Sequence, residues 1–125
     1  MIHLDTSFLI RALARGSAED RRLREWLEDG TPLAMGAVSW AEFLCGPVRA
    51  EDVDLATHIV NGPVAFLPGD AASAAKLFNL AGRRRGSFVD CMIAAIALRA
   101  QATLATGNST DFRRFEPAGL RIIAP

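Results

Sequence analysis

The sequence predicts an α/β fold: a three-layer α/β/α sandwich around a mostly parallel central sheet of about five strands. Three observations predict it. Short apolar runs alternate with longer segments whose apolar residues recur at helical spacing, and the junctions carry helix-start and turn residues. The chain has 125 residues, of which 50% are hydrophobic. That suits one domain over residues 1–125 burying roughly two-thirds of its unfolded surface. No repeat, low-complexity tract or linker interrupts it.

Ile2 to Leu4 reads as a buried strand, and Asp5-Thr6-Ser7 supplies caps for a helix through Phe8, Leu9, Ile10 and Leu13. The next helix spans Ala18 to Asp29, with Leu23, Trp26 and Leu27 on one face, and Gly30-Thr31-Pro32 ends it. Pro32 to Met35 makes a second strand. Ser39 and Glu42 have the spacing of a capping box, opening a helix that stops at Gly46-Pro47, and Glu51 to Val60 forms another.

Val64 to Leu67 reads as a third strand, and Asp70 caps a helix that reaches Ala81. Gly82 to Ser87 is a basic loop. In the apolar helix that follows, Asp90 shares a stripe with Ile93, Ala94, Ala97 and Leu98, near the positive helix end. Thr103 to Ala105 is the fourth strand, Thr106 to Asp111 turns into a short helix, and Leu120 to Ile123 is the fifth strand.

Asp5, Glu42, Asp90 and Asp111 each stand where an apolar stretch gives way to a helix start. Singly, each fits a helix cap or a first-turn acid. Capping does not explain their convergence, because ligands of open α/β sheets collect at the carboxyl ends of strands, where Asp5 and Asp111 fall directly and Glu42 nearly so. A carboxylate among apolar neighbours is costly unless paired, hydrogen-bonded or metal-bound. The pattern reads as a carboxylate cluster for Mg²⁺ or Mn²⁺, hard cations that take oxygen ligands and assist displacement at a phosphodiester.

Composition narrows the function classes. Net charge is zero, so the chain does not advertise nucleic-acid binding as a strongly basic domain would. If cations neutralise the acids, the arginines dominate the local field, Lys76 being the only lysine. Arg83, Arg84, Arg85, Arg113 and Arg114 are candidate contacts to a phosphate-bearing ligand, or else solvated charges that complement helix ends. The longest apolar run, Cys91 to Leu98, is too short to cross a bilayer, and no targeting segment is evident. Cys45 and Cys91 read as small buried thiols, consistent with a reducing cytoplasmic location. His3, within a strand, and His58, on a polar helix, are structural or exposed rather than ligands. A receiver domain needs a lysine at a late strand end, a haloacid-dehalogenase-like phosphatase a second Asp where Ser7 stands, and a phosphate loop a GxxxxGK run; none is present.

Four segments also carry a family resemblance: Ile2-His3-Leu4-Asp5-Thr6-Ser7-Phe8-Leu9-Ile10, Ser39-x-x-Glu42, Val89-Asp90-Cys91-Met92-Ile93-Ala94-Ala95 and Thr106-x-Asn108-x-x-Asp111-Phe112. In order and spacing the chain resembles PIN-domain ribonucleases, particularly VapC-type toxins. The resemblance implies a PIN-like sandwich and a metal-dependent endoribonuclease in which Asp5, Glu42, Asp90 and Asp111 hold one or two Mg²⁺ or Mn²⁺ ions. Activated water then leaves a 5′-phosphate and a 3′-hydroxyl. Thr6 or Ser7, Thr106 and Asn108 become groups that orient carboxylates or water. It also implies a VapB-type antitoxin, a homodimer and an RNA substrate, with transfer RNA a family-level candidate. Trp40 and Phe43 are the candidate antitoxin contacts, with core packing as the alternative. Many relatives carry arginine where this chain has Gly107, so one basic contact is either supplied from elsewhere or missing. The competing class is a non-catalytic PIN-fold module that binds RNA or protein.

Overall fold

A computed structural model describes all residues, 1–125. In chain order the elements are β1 (Ile2–Leu4), α1 (Thr6–Ala12), α2 (Ala18–Glu28), β2 (Leu33–Ala34), α3 (Ala37–Cys45), α4 (Ala50–Val60), α5 (Pro68–Leu80), α6 (Phe88–Arg99), β3 (Thr103–Ala105), α7 (Ser109–Phe112), a 3₁₀ turn (Arg113–Ala118) and β4 (Arg121–Ile123). The strands form one parallel sheet in the order β2-β1-β3-β4. From β1 the chain steps to one side to make β2 and later returns to make β3 on the other. The β1/β3 boundary is therefore a topological switch point.

Helices cover both faces because successive strand residues point opposite ways. Ile2, Leu4 and Ala105 pack with Phe8, Leu9, Leu23, Trp26, Phe43 and Val60 in one core. Leu104 turns to the other face and packs with Leu77, Ile93, Ala94, Phe112 and Phe115. The Phe8 and Trp26 rings stack at 5.4 Å between centroids, which holds α2 against α1.

Four strands are present where about five were expected. Val64 to Leu67 contributes a single parallel bridge, Gly36 to Val64. Beyond it, the carbonyl of Ala65 accepts from Arg99 Nη2 at 2.7 Å, and Pro68, lacking an N–H, opens α5. The segment has the apolarity of a strand, but its backbone is diverted from the ladder.

The expected Ser39/Glu42 capping box is also absent. α3 begins earlier, with Gly36 at its N-cap, and Ala37 N–H donates to the Val64 carbonyl at 2.7 Å. Gly36 also makes room for α6, since a β-carbon there would lie 3.1 Å from Ile96 Cδ1. Ser39 is consequently a buried interior residue of α3. Cys91 is buried as expected, whereas Cys45, on the last turn of α3, is exposed; both are free thiols.

Asp70 caps α5 from its third position rather than as the N-cap residue. It accepts the Leu67 N–H at 2.9 Å and receives Arg99 Nε at 3.0 and 3.1 Å on its two oxygens. One buried carboxylate therefore joins the start of α5 to the end of α6. Replacing Asp70 with alanine removes a cap and leaves Arg99 without its partner, and is expected to lower unfolding stability by about 3 kcal/mol. Urea denaturation measures this directly, and a loss under about 1 kcal/mol would show that the pair contributes little.

Candidate active site

The candidate site follows from strand register. Leu4 pairs with Ala105 at the carboxyl ends of β1 and β3, so the next residues, Asp5 and Thr106, emerge side by side. Backbone bonds fix both: Asp5 N–H donates to Ala105 O at 2.9 Å, and Thr106 N–H to Ile123 O at 3.1 Å. Asp5 is only 4% exposed. Its Oδ2 accepts from Thr106 Oγ1 at 2.8 Å and from Ser7 Oγ at 2.9 Å. Those hydroxyls are oriented in turn by the amides of Asn108 (3.0 Å, to Thr106) and Gly107 (3.0 Å, to Ser7). Oδ1 accepts no protein hydrogen bond and is left facing the cleft.

Thr6 also lines the cleft, with Ser7 the one of the two that bonds Asp5. The Thr6 hydroxyl donates to the Ser39 carbonyl at 2.7 Å, joining the start of α1 to α3. That contact, with the burial of Phe43, positions α3 so that Glu42 meets Asp5. Asp90 arrives from the first turn of α6. Asp5, Glu42, Asp90, Ser7 and the exposed Asn108 line one cleft of about 270 Å³, with Ile10 as its apolar wall. Asp90 also borders a smaller pocket of about 100 Å³, shared with Asp111, Arg84, Arg85, Ser87 and Arg114. The four acids thus converge on two adjoining spaces.

The electrostatics are unbalanced. Partial desolvation, then the charges of Asp5 and Asp90, raise the proton affinity of Glu42, although one side of this residue is open to water. Burial, then the charges of Asp5 and Asp111, raise that of Asp90, with Arg114 and Arg84 opposing. Arg114 Nη2 stands 3.9 Å from both Asp90 Oδ2 and Asp111 Oδ1, and its Nε donates to the Asp111 carbonyl at 2.6 Å. Neither Asp5 nor Glu42 has a cationic partner at ion-pair distance.

The donor set suits a hard divalent cation. No group of three or more acidic, histidine or cysteine side chains is placed closely enough to hold a metal ion as the side chains stand. Mg²⁺ does not need a closed cage, because it keeps several waters and takes one or two carboxylates. The open Oδ1 of Asp5 and the uncompensated charge around it are the features such an ion answers.

The arginines divide. Arg84 and Arg85 line the smaller pocket. Arg83 turns back onto α5, hydrogen-bonding Asn79 and covering the Phe78 ring. Arg113 is exposed and lines neither space. Arg114 is mostly buried and already engaged with the acids, so it is an internal counter-ion rather than a free contact. Phe43, offered with Trp40 as a partner contact, is fully buried in the core; Trp40 is half-buried and packs on it at 5.5 Å. Sequence reasoning passed over Arg11, whose Nη1 donates to the Gly107 carbonyl at 3.2 Å. The available signal was its place four residues after Ser7, on the same face of α1.

The PIN domain family model matches residues 2–116. Among solved structures, VapBC2 from Rickettsia felis, bound to a promoter DNA fragment, is 20% identical, with a TM-score of 0.77 over 100% of this chain and 99% of that one. FitAcB from Neisseria gonorrhoeae is 20% identical, with a TM-score of 0.73 over 98% and 96%. VapBC-1 from nontypeable Haemophilus influenzae is 24% identical, with a TM-score of 0.70 over 99% and 98%. At these identities the likeness concerns the fold. No curated protein is a significant match in sequence.

A carboxylate whose proton affinity is raised by folding binds more protons in the native than in the unfolded state. Its contribution to stability is therefore full below its unfolded pKa and lost as pH rises through the folded one. Glu42 and Asp90 both shift this way. In chelator at neutral pH, Asp90→Asn is expected to raise Tm by about 1–2 °C and Glu42→Gln, whose charge is screened by water, by less, with the gain shrinking as the native chain is acidified. A lower Tm in both variants would contradict the charge imbalance.

Proposed function

The chain belongs to the PIN-domain family, and on that premise we propose that it is a Mg²⁺- or Mn²⁺-dependent endoribonuclease, the toxin of a toxin–antitoxin pair. The observation that carries the reading is Asp5: a nearly buried carboxylate at the β1/β3 switch point, held by two hydroxyls, with no cationic partner and two further carboxylates around it.

One or two divalent cations would be held by Asp5 Oδ1 with Glu42 and Asp90, and by Asp90 with Asp111. When bound, they supply Lewis acidity toward the phosphate and lower the pKa of water. The protein's own part is positional and electrostatic. Thr106 and Ser7 keep Asp5 in one rotamer, which fixes the direction of its free oxygen. One carboxylate of the cluster takes the proton of the attacking water. Arg84 and Arg85 border the pocket beside Asp90 and meet the phosphate next to the scissile one. Water attacks phosphorus and the 3′-oxygen leaves, giving a 5′-phosphate and a 3′-hydroxyl. The ribose 2′-hydroxyl takes no part as nucleophile.

The antitoxin reading draws on solved relatives described as VapBC and toxin–antitoxin complexes. On this chain a groove of about 410 Å³ between α2 and α4, walled by Leu23, Leu27, Leu55 and Ile59 and rimmed by the ion pairs of Arg24 with Asp20 and of Arg49 with Asp52, is a surface for an apolar segment of such a partner. No helix is long and apolar enough to cross a membrane.

Purified chain and a total small-RNA pool provide the test. Discrete cleavage is expected with Mg²⁺ or Mn²⁺, lost with chelator and lost in Asp90→Asn. Thr106→Val is expected to weaken metal affinity or activity about 10–100-fold without abolishing it. Ends carrying 2′,3′-cyclic phosphate would overturn the mechanism. Identical RNA patterns from native chain and Asp90→Asn, with antitoxin shown to be absent, would favour a non-catalytic binding module.

A further inference from the structure

We propose that Arg11, which lines neither space but reaches the Gly107 carbonyl beside the cleft, is a phosphate-binding residue and that Gly107 is the position that gives it room, so that together they hold the RNA strand as it leaves the site; this rests on the ribonuclease reading above.

One face of α1 holds residue 107 at both ends. Ser7 accepts its N–H at 3.0 Å, and one helical turn on, Arg11 Nη1 donates to its carbonyl at 3.2 Å. The guanidinium occupies the space a side chain at 107 would need. A β-carbon there would overlap Nη1 and come within 2.9 Å of Cζ and 3.3 Å of Nε. The backbone of Gly107 is not in the left-handed region, so its conformation does not call for glycine. A side chain at 107 would instead have to displace the flexible Arg11 guanidinium.

This arginine is placed for an outside ligand. It is exposed, it makes no ion pair, and the Gly107 carbonyl takes only one of its five N–H donors. Arg114 lies between Asp90 and Asp111 at 3.9 Å from each, and Arg99 is bonded to Asp70. Arg11 is tethered by a neutral oxygen and keeps its full charge. Residue 107 lies between Thr106, which holds Asp5, and Asn108, which lines the cleft. A forked cation at that rim matches a phosphodiester oxygen pair and offsets the repulsion between the acids and a polyanion.

Binding of a labelled single-stranded RNA oligonucleotide to the cleavage-blocked Asp90→Asn chain tests this, with Arg11→Gln, Gly107→Ala and their combination added. Arg11→Gln is expected to raise Kd roughly tenfold at low salt. It should also reduce the slope of log affinity against log salt by about 0.7, the loss of one phosphate contact. Gly107→Ala is expected to act in the same direction, because the flexible guanidinium is displaced, and to add nothing once Arg11 is glutamine. In the cleaving chain the same changes raise KM and leave kcat nearly intact. Native Kd and salt slope in Arg11→Gln would overturn the proposal, as would a Gly107→Ala defect that persists undiminished without Arg11. Failure of the native chain to cleave RNA with metal would sink the nuclease reading separately, while the binding data still decide the role of Arg11.

Discussion

The pairing of β1 with β3 is the constraint on which the rest depends. Parallel register places Leu4 against Ala105, and from that one pairing Asp5 and Thr106 leave the sheet together. Their side chains then meet at 2.8 Å, and Ser7, on the first turn of α1, closes the group. A slip of one residue would turn the apolar face of β1 to the wrong core as well as separate the carboxylate from its donors. Folding stability and site geometry are thus secured by the same few residues. The strand order adds the space, since connections leave β1 and β3 toward opposite sides.

Carboxylates in this protein have two fates. Asp70 and Asp20 are buried and engaged, Asp70 by Arg99 and the Leu67 amide, Asp20 by Arg24 and the Gly16 amide. They hold helices in place. Asp5, Glu42 and Asp90 instead face one another, and only Asp90 has a cation near, in Arg114 at 3.9 Å. Such a cluster costs stability, and its concentration at a strand-end cleft is the physical mark of a site for a ligand of opposite charge. Arg114 moderates the imbalance at Asp90 and Asp111 but does not reach Asp5 or Glu42.

Much of this arrangement was legible from local signals. Asp5 and Asp90 could be placed because each sits between a strong apolar pattern and a helix start, and both lie where that pattern puts them. Signals depending on partners misled. Ser39 and Glu42 have capping-box spacing, yet the Val64 carbonyl satisfies Ala37 and the helix starts earlier. Val64 to Leu67 has strand composition, yet Arg99 takes the Ala65 carbonyl and Pro68 begins a helix. Phe43, a candidate for a partner surface, fills the core instead. Nothing in one chain reveals which of several aromatic residues faces inward when the helix packs on two neighbours.

By itself, the sequence determined the alternation of strands and helices and the positions of Asp5, Asp90 and Asp111 at or just inside helix starts, because these rest on short-range periodicity, capping and turn chemistry. Tertiary structure alone decided which groups meet across the chain: Thr106 with Asp5, Arg99 with Asp70, Arg114 between two acids, and Arg11 over Gly107. Those contacts join residues up to 101 positions apart. Their geometry is set by strand register and helix packing, which no local pattern encodes.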